Sequence, residues 1–388
     1  MNKFLKVLGA AILIAMFILP NITGWSMAEE QSYEEIPSEI VRGKILEIMD
    51  VPMDVEQYGS FVKDVQTVVV EITQGDFKGE VLTLDHVLSG NLAYDFYLDE
   101  GDLVLLWIET VDGDLVSAYV SEIVRDRYLS YLTIFFVLVL VIVGGMQGVK
   151  TVLTLAITGF FILKVLLPTI LAGYNPIGIT IIVASFIVTI SLIITSGLNR
   201  KTAAAILGTI GGVVVAGIIA LVMSSMTKLT GLSNDEAQML MYIPQQIEFN
   251  FRGLLFAGMI IGAMGAVLDV GMSVASAMDE VRRANPDLST RRLIHSGFNV
   301  GKDIMGTMSN TLILAYTGAS MPLLLVFMAY DTPLVRIVNL DLIATEIVRA
   351  LAGSIGLIFA IPITALAAGF LYRQQRNIRS GRGKRTGA

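Results

Sequence analysis

From residue 128 onward, apolar residues run in long stretches broken by short polar connections, at approximately 129–147, 151–172, 177–197, 203–226, 253–276, 307–329 and 349–371. Each stretch approaches the ~20 residues that cross a hydrocarbon core of ~30 Å, where a helix satisfies its own backbone. Before them lies a shorter run, 7–19, preceded by Lys3 and Lys6 and followed by Pro20 and small residues at Ser26 and Ala28. This is the pattern of a signal peptide, or, if uncleaved, of an anchor helix. Residues 40–125 read differently. Runs such as 67–73 and 103–108 are short and rich in β-branched or aromatic residues, with turn signals at Gly75-Asp76, Gly101-Asp102 and Asp112-Gly113.

The expected fold is therefore an α-helical polytopic membrane bundle of about seven spans plus the N-terminal signal or anchor helix, carrying a small extracytoplasmic all-β, OB-like barrel. The division is 1–28 for the signal or anchor, 29–127 for the β head, 128–372 for the helical domain and 373–388 for a basic tail. Two longer connections carry elements of their own. Ser233 and Glu236 stand at capping-box spacing and predict a short helix over 234–243, and the mixed pattern of 331–348 suits a helix lying in the interface.

Composition agrees. The chain is 54% hydrophobic and 16% charged, against about 25% charged in ordinary globular proteins, too little polar surface for a soluble particle of this length. The net charge of −7 hides an asymmetry, since residues 29–127 hold 23 acidic against 6 basic residues. An acidic head argues against nucleic acid as its partner. Basic residues gather at Lys150, Arg200, Lys201, in the loop from Arg282 to Arg292 and in the tail, which predicts that those connections and the C-terminus are cytoplasmic, the head is outside, and the protein sits in the plasma membrane.

Cysteine is absent and histidine occurs twice, so no thiolate metal site, disulfide or thiol nucleophile exists. His86 and His295 read as surface residues. No nucleophile elbow or zincin motif is present, and the nearest phosphate-loop lookalike, Gly297 to Lys302, is one residue short and lacks the following Ser or Thr. The expectation is a protein that is not an enzyme, with no catalytic residues, no cofactor and no metal.

The informative stretch is 251–330. Gly258, Gly262, Gly265, Asp269, Ser273 and Ser276 fall on one face of a helix, as do Asn299, Asp303, Gly306, Asn310 and Thr317 on the next. Gly258, Gly262, Gly265 and Gly306 are expected to pack helix against helix. Asp269, Asp303 and Asn310, with Ser273, Asn299 and Thr317, are expected to form a polar core. Asp269 lies ten residues before Asp279, about 15 Å along a helix, and Asp303 lies at similar depth if both helices start from the intervening loop. Alternatives place 293–305 along the inner surface, or break the helix at Gly297 or Gly301 and re-enter. Carboxylates sharing a low-dielectric site carry protons or bind a cation, unless a base such as Lys164 or Lys302 pairs with them. Arg252, Glu346 and Arg349 are expected at headgroup level near helix ends.

The blocks Phe251-Arg252-Gly253-Leu254-Leu255, Gly262-Ala263-Met264-Gly265-Ala266-Val267-Leu268-Asp269, Gly301-Lys302-Asp303-Ile304-Met305-Gly306-Thr307-Met308 and Asn310-Thr311-Leu312-Ile313-Leu314-Ala315-Tyr316-Thr317-Gly318 resemble the YibE/F family of bacterial multi-pass membrane proteins. The likeness covers roughly 130–372, with a looser match in the head. It implies a permease-like role; Lys302 stands where the family pattern has arginine, and loses planar two-point hydrogen bonding. The expected function is secondary transport of a small solute or cation across the lipid bilayer, with proton coupling as an option. The competing reading is a scaffold or sensor whose head binds an envelope protein; a homo-oligomer is compatible with both.

Overall fold

A computed structural model describes residues 38–49, 62–91, 93–243 and 249–383, with side chains to 373. The expected signal or anchor segment, 1–28, and most of the basic tail's side chains lie outside the described residues. Internal contacts divide the chain between Val139 and Leu140 into two compact units.

The first unit is a nearly closed barrel of five antiparallel strands: β1 (Ser38–Met49), β2 (Asp64–Ile72), β3 (Val81–Leu88), β4 (Leu103–Val111) and β5 (Asp114–Ile123). Their order is β3-β2-β1-β4-β5, with β1 central, pairing Gly43 with Ile72 on one side and with Val104 on the other. Alternation decides the inside. Val41 and Ile45 of β1, Val68, Val70 and Ile72 of β2, and Leu106 and Ile108 of β4 are buried, as a period of two requires. Gly43 is the inward position of β1 with no room, since a Cβ there would lie 2.7 Å from Val70 Cγ1 and 2.8 Å from a Leu106 methyl. Asp112 and Gly113, both with positive φ, form the two-residue hairpin between β4 and β5 that matches strand twist. His86 is not on the surface. It is buried, with Nε2 2.8 Å from the Phe96 carbonyl and its ring 4.8 Å from that of Phe96, because it falls at an inward position of β3.

Helix α1 (Asp126–Gly144) follows. The second unit holds α2 (Met146–Leu171), α3 (Pro176–Ser196), α4 (Arg200–Met226), α5 (Asp235–Met239), α6 (Phe251–Ala284), α7 (Thr290–Ala319), α8 (Met321–Ala329), α9 (Leu334–Val338) and α10 (Asp341–Gly383). Helices α1, α2, α3, α4, α6 and α10 are each long and apolar enough to cross a membrane, and α7 with α8 makes a seventh span if that bent pair is one crossing. Asparagines start three of them. The side chains of Asn175, Asn199 and Asn250 accept from the amides of Ile177, Thr202 and Gly253, which satisfies otherwise orphaned donors.

The core of this unit is the packing of α4 and α6 on α10, with α7 laid along α6 and α10. Backbones touch there. A Cβ on Gly208 would lie 1.7 Å from Thr364 Oγ1, one on Gly212 2.7 Å from the Gly356 carbonyl, and one on Gly271 2.6 Å from Thr209 Oγ1. Small residues at this spacing are what let membrane helices approach closely.

Several boundaries differ from the expected ones. The span expected at 307–329 starts at Thr290 and bends by 60° after Ala319. Its polar outer face hid its first half from a search for apolar runs. Helix α10 begins two turns before residue 349, so the interfacial helix expected over 331–348 shrinks to α9 and its remainder joins a span. The short helix near 234–243 is present as α5 and a tight turn at Leu240–Tyr242, but its cap residue is Asn234, whose side chain donates to Glu236 and caps no backbone amide, so the Ser233 capping box does not form.

Candidate functional site

Helix α7 is continuous from Thr290 to Ala319. No break occurs at Gly297 or Gly301, and residues 293–305 do not form a separate surface segment. Both glycines face inward, Gly297 against Met278 and Ala365 and Gly301 against Ile361. The phosphate-loop lookalike is therefore the packed face of a helix. Contacts of α7 with α10 run from Ile294 beside Gly369 to Leu312 beside Gly353, sixteen residues of α10 or about 24 Å, so α7 spans the thickness that its neighbours span.

On α6, Gly258, Gly262, Gly265, Asp269 and Ser273 are all exposed, while Val267, Val270 and Val274 on the other side are fully buried. The stripe read from the sequence exists, but it is an open face. Gly258 and Gly265 have nothing within 4 Å of a Cβ position, and neither has Gly306 on α7. These three do not pack helix on helix among the described residues; Gly208, Gly212, Gly271, Gly297, Gly301 and Gly356 do. Gly262 does meet a neighbour, since a Cβ there would lie 2.6 Å from Tyr316 Oη.

Asn299, Asp303, Asn310 and Thr317 are likewise exposed, on the side of α7 away from buried Leu293, Gly297, Gly301 and Leu312. The antiparallel register of α6 and α7, fixed by Gly297 beside Met278 and Tyr316 beside Gly262, sets Asp303 about one helical turn nearer the connecting loop than Asp269. The two carboxylates are near in depth and do not touch. Neither makes a hydrogen bond or ion pair among the described residues. Lys164, exposed on a π-wound turn of α2 at Ile162–Leu166, and Lys302, exposed on α7, pair with neither. Groups of three or more side chains that could hold a metal ion are absent among the described residues.

A second constellation was not expected from the sequence. Arg349 donates to Glu346 at 2.5 Å within α10, and its guanidinium lies 6.0 Å from the centre of the Tyr316 ring. Both charged side chains are mostly covered, 27% and 20% exposed. Arg349 Nε, Thr345 Oγ1 and Ser354 Oγ nearby are buried without a hydrogen-bond partner. A cavity of about 330 Å³ opens beside them, with Tyr316, Thr317, Ser320 and Glu346 among largely apolar walls. The signal was the continuation of apolar positions Ile343, Ile347 and Val348 before residue 349, which carries the pair into the helix rather than past its end. At the opposite end of α10, Tyr372 donates to Asp279 at 2.5 Å, Arg283 pairs with the same carboxylate, and Arg200 donates to the Leu371 carbonyl.

Residues 132–374 match YibE/F-like proteins, and residues 42–123 match the N-terminal domain of the same family. The chain belongs to the YibE/F family. In this YibE/F protein the two matches coincide with the helical region and the barrel, and its long apolar helices make it a membrane protein. No curated protein and no solved structure matches it.

Proposed function

We propose that this YibE/F protein is a permease of the plasma membrane, a proton-coupled secondary transporter of a small solute or cation, and not an enzyme. Its OB-like barrel stands outside the cell and its C-terminus in the cytoplasm. Asp269 carries this reading: a carboxylate midway along a 34-residue apolar helix, on an open face, with no ion pair or hydrogen bond among the described residues. An ionised aspartate at the centre of a span costs about 2.5 to 3.5 kcal/mol. It is therefore relieved by water, by a proton or by a bound cation, and a group that exchanges these states as ions arrive is a carrier. Ser273 adds a hydroxyl one turn away, and Gly265 leaves room above it. The Glu346–Arg349 pair, level with Gly262 through Tyr316, stands at the outer end of that face, and the Tyr372–Asp279 contact at the inner end.

In liposomes carrying a pH or cation gradient, the wild-type chain is expected to pass the driving ion, and Asp269→Asn to abolish flux while inserting normally and keeping its melting temperature. Wild-type vesicles that pass nothing, or an Asp269→Asn variant as active as wild type, overturn the reading.

A scaffold or sensor is the second reading, favoured by one feature of the head. Ile40, Trp107 and Tyr119 are cross-strand neighbours on β1, β4 and β5 and stand 54%, 41% and 55% exposed. A row of exposed aromatic and aliphatic groups suits a protein partner in the envelope. That reading predicts no flux from any variant, and loss of an envelope crosslink on Trp107→Ala.

A further inference from the structure

Outward-facing surfaces of the helical unit are apolar almost everywhere, as at Ile182, Phe186, Leu207, Ile218, Val222 and Phe370. Lipid is their natural neighbour. Besides the open face of α6 at Asp269 and Ser273, helix α7 carries the longer exception. Its exposed positions Asn299, Asp303, Gly306, Asn310, Ile313 and Thr317 follow spacings of four, three, four, three and four. That is the unbroken a/d repeat of a helix built to pair with another helix. The line runs about 27 Å along the axis, beside α10 through the thickness of the bundle, and nothing described covers it. Hydrocarbon cannot satisfy two asparagines, an aspartate and a lysine along one stripe.

We propose that a second copy of this chain covers the stripe, the two α7 helices lying parallel across a two-fold axis along the membrane normal. Self-complementarity argues for that occupant. Two-fold symmetry sets each residue opposite its own copy at the same depth. Asn299 and Asn310 each offer a donor and an acceptor, so each bonds its own copy in both directions. Gly306, with open space at its Cβ position, lets the two backbones approach between them. Asp303 takes an a position of that repeat and Lys302 the g position just before it, and in a parallel two-fold pair the hole that receives an a side chain is lined by the partner's preceding g residue. Lys302 of each copy then pairs with Asp303 of the other, two reciprocal ion pairs from one adjacent dipeptide. This leaves Asp269 as the free intramembrane carboxylate of the stripe residues. The inference is independent of whether the protein transports.

Because the chain has no cysteine, single cysteines report without background. In native membranes, cysteines at 299, 306, 310 and 313 are expected to form disulfide-linked dimers on mild oxidation. Cysteines at lipid-facing Ile182 and Phe186, and at inward Leu312, are not. Lys302→Asp and Asp303→Lys alone are each expected to lower the dimer fraction roughly tenfold, since each sets two like charges against each other. The double variant Lys302→Asp/Asp303→Lys restores it, which a merely misfolded protein would not do. Equal crosslinking at all exposed positions, a monomer at every lipid-to-protein ratio, or failure of the swap to rescue overturns the proposal, whatever the outcome of flux measurements.

Discussion

The α4–α10 seam and the outward face of α7 are built from similar residues, glycine and small or polar side chains, and they do opposite things. In the seam, glycine is a place where another backbone already sits, as at Gly208 against Thr364 and Gly212 against Gly356. On α7, Gly306 meets nothing. Residue type alone therefore does not say whether a small position is occupied; the difference lies in what stands opposite. In the seam it is this chain, and beside Gly306 it is open space among the described residues.

The sharpest way to break this comparison is to add one methyl group to each side. Gly208→Ala is expected to cost roughly 3 kcal/mol, since the new Cβ overlaps Thr364 and overpacking is not relieved where backbones touch. Gly306→Ala is expected to leave the isolated chain's stability unchanged or raise it by up to about 1 kcal/mol through helix propensity. Thermal unfolding of the purified protein in detergent decides it, and equal losses at both positions would erase the distinction. A second contrast lies within α7. Leu312→Ala opens a cavity against Gly353 and is expected to lose roughly 2 kcal/mol or more. Asn310→Ala, two residues away on the open face, is expected to stay within about 0.5 kcal/mol in monomeric detergent preparations. The smallest effect lies in the head, at a turn exposed to water. Partial loss of hydration works against ionisation of the Asp95 carboxyl, but the amide and hydroxyl of Ser89 and the amides of Gly90 and Asn91 outweigh it and hold its pKa below the ordinary value. A depressed carboxylate stabilises the fold above its unfolded pKa, and that contribution disappears as pH falls through the lower folded value. The difference in melting temperature between wild type and Asp95→Ala is thus expected at neutral pH and absent in strong acid.

These contrasts also mark what the residues disclose before any fold is known. The apolar runs locate α1 to α4, α6 and most of α10, because in lipid hydropathy and length leave a segment little else to be. Strands β2 and β4 follow from β-branched runs, and the stripes on α6 and α7 are real faces. What the pattern does not carry is direction. Asp269 and Asp303 mark polar faces equally well whether those faces look inward or outward, so the expected polar core is instead a pair of open stripes. Tyr316, Glu346 and Arg349 escaped for a different reason. Their association needs the early start of α10 and the register of α7 against α6, and both come from packing between helices far apart in sequence.

Where Gly208 and Gly212 bring α4 and α10 into bare contact, there is no cushion of side chains to let one slide along the other. A shift of even part of a turn would drive Thr364 into the α4 main chain. These two helices therefore behave as one stiff plank against which the rest of the bundle is laid.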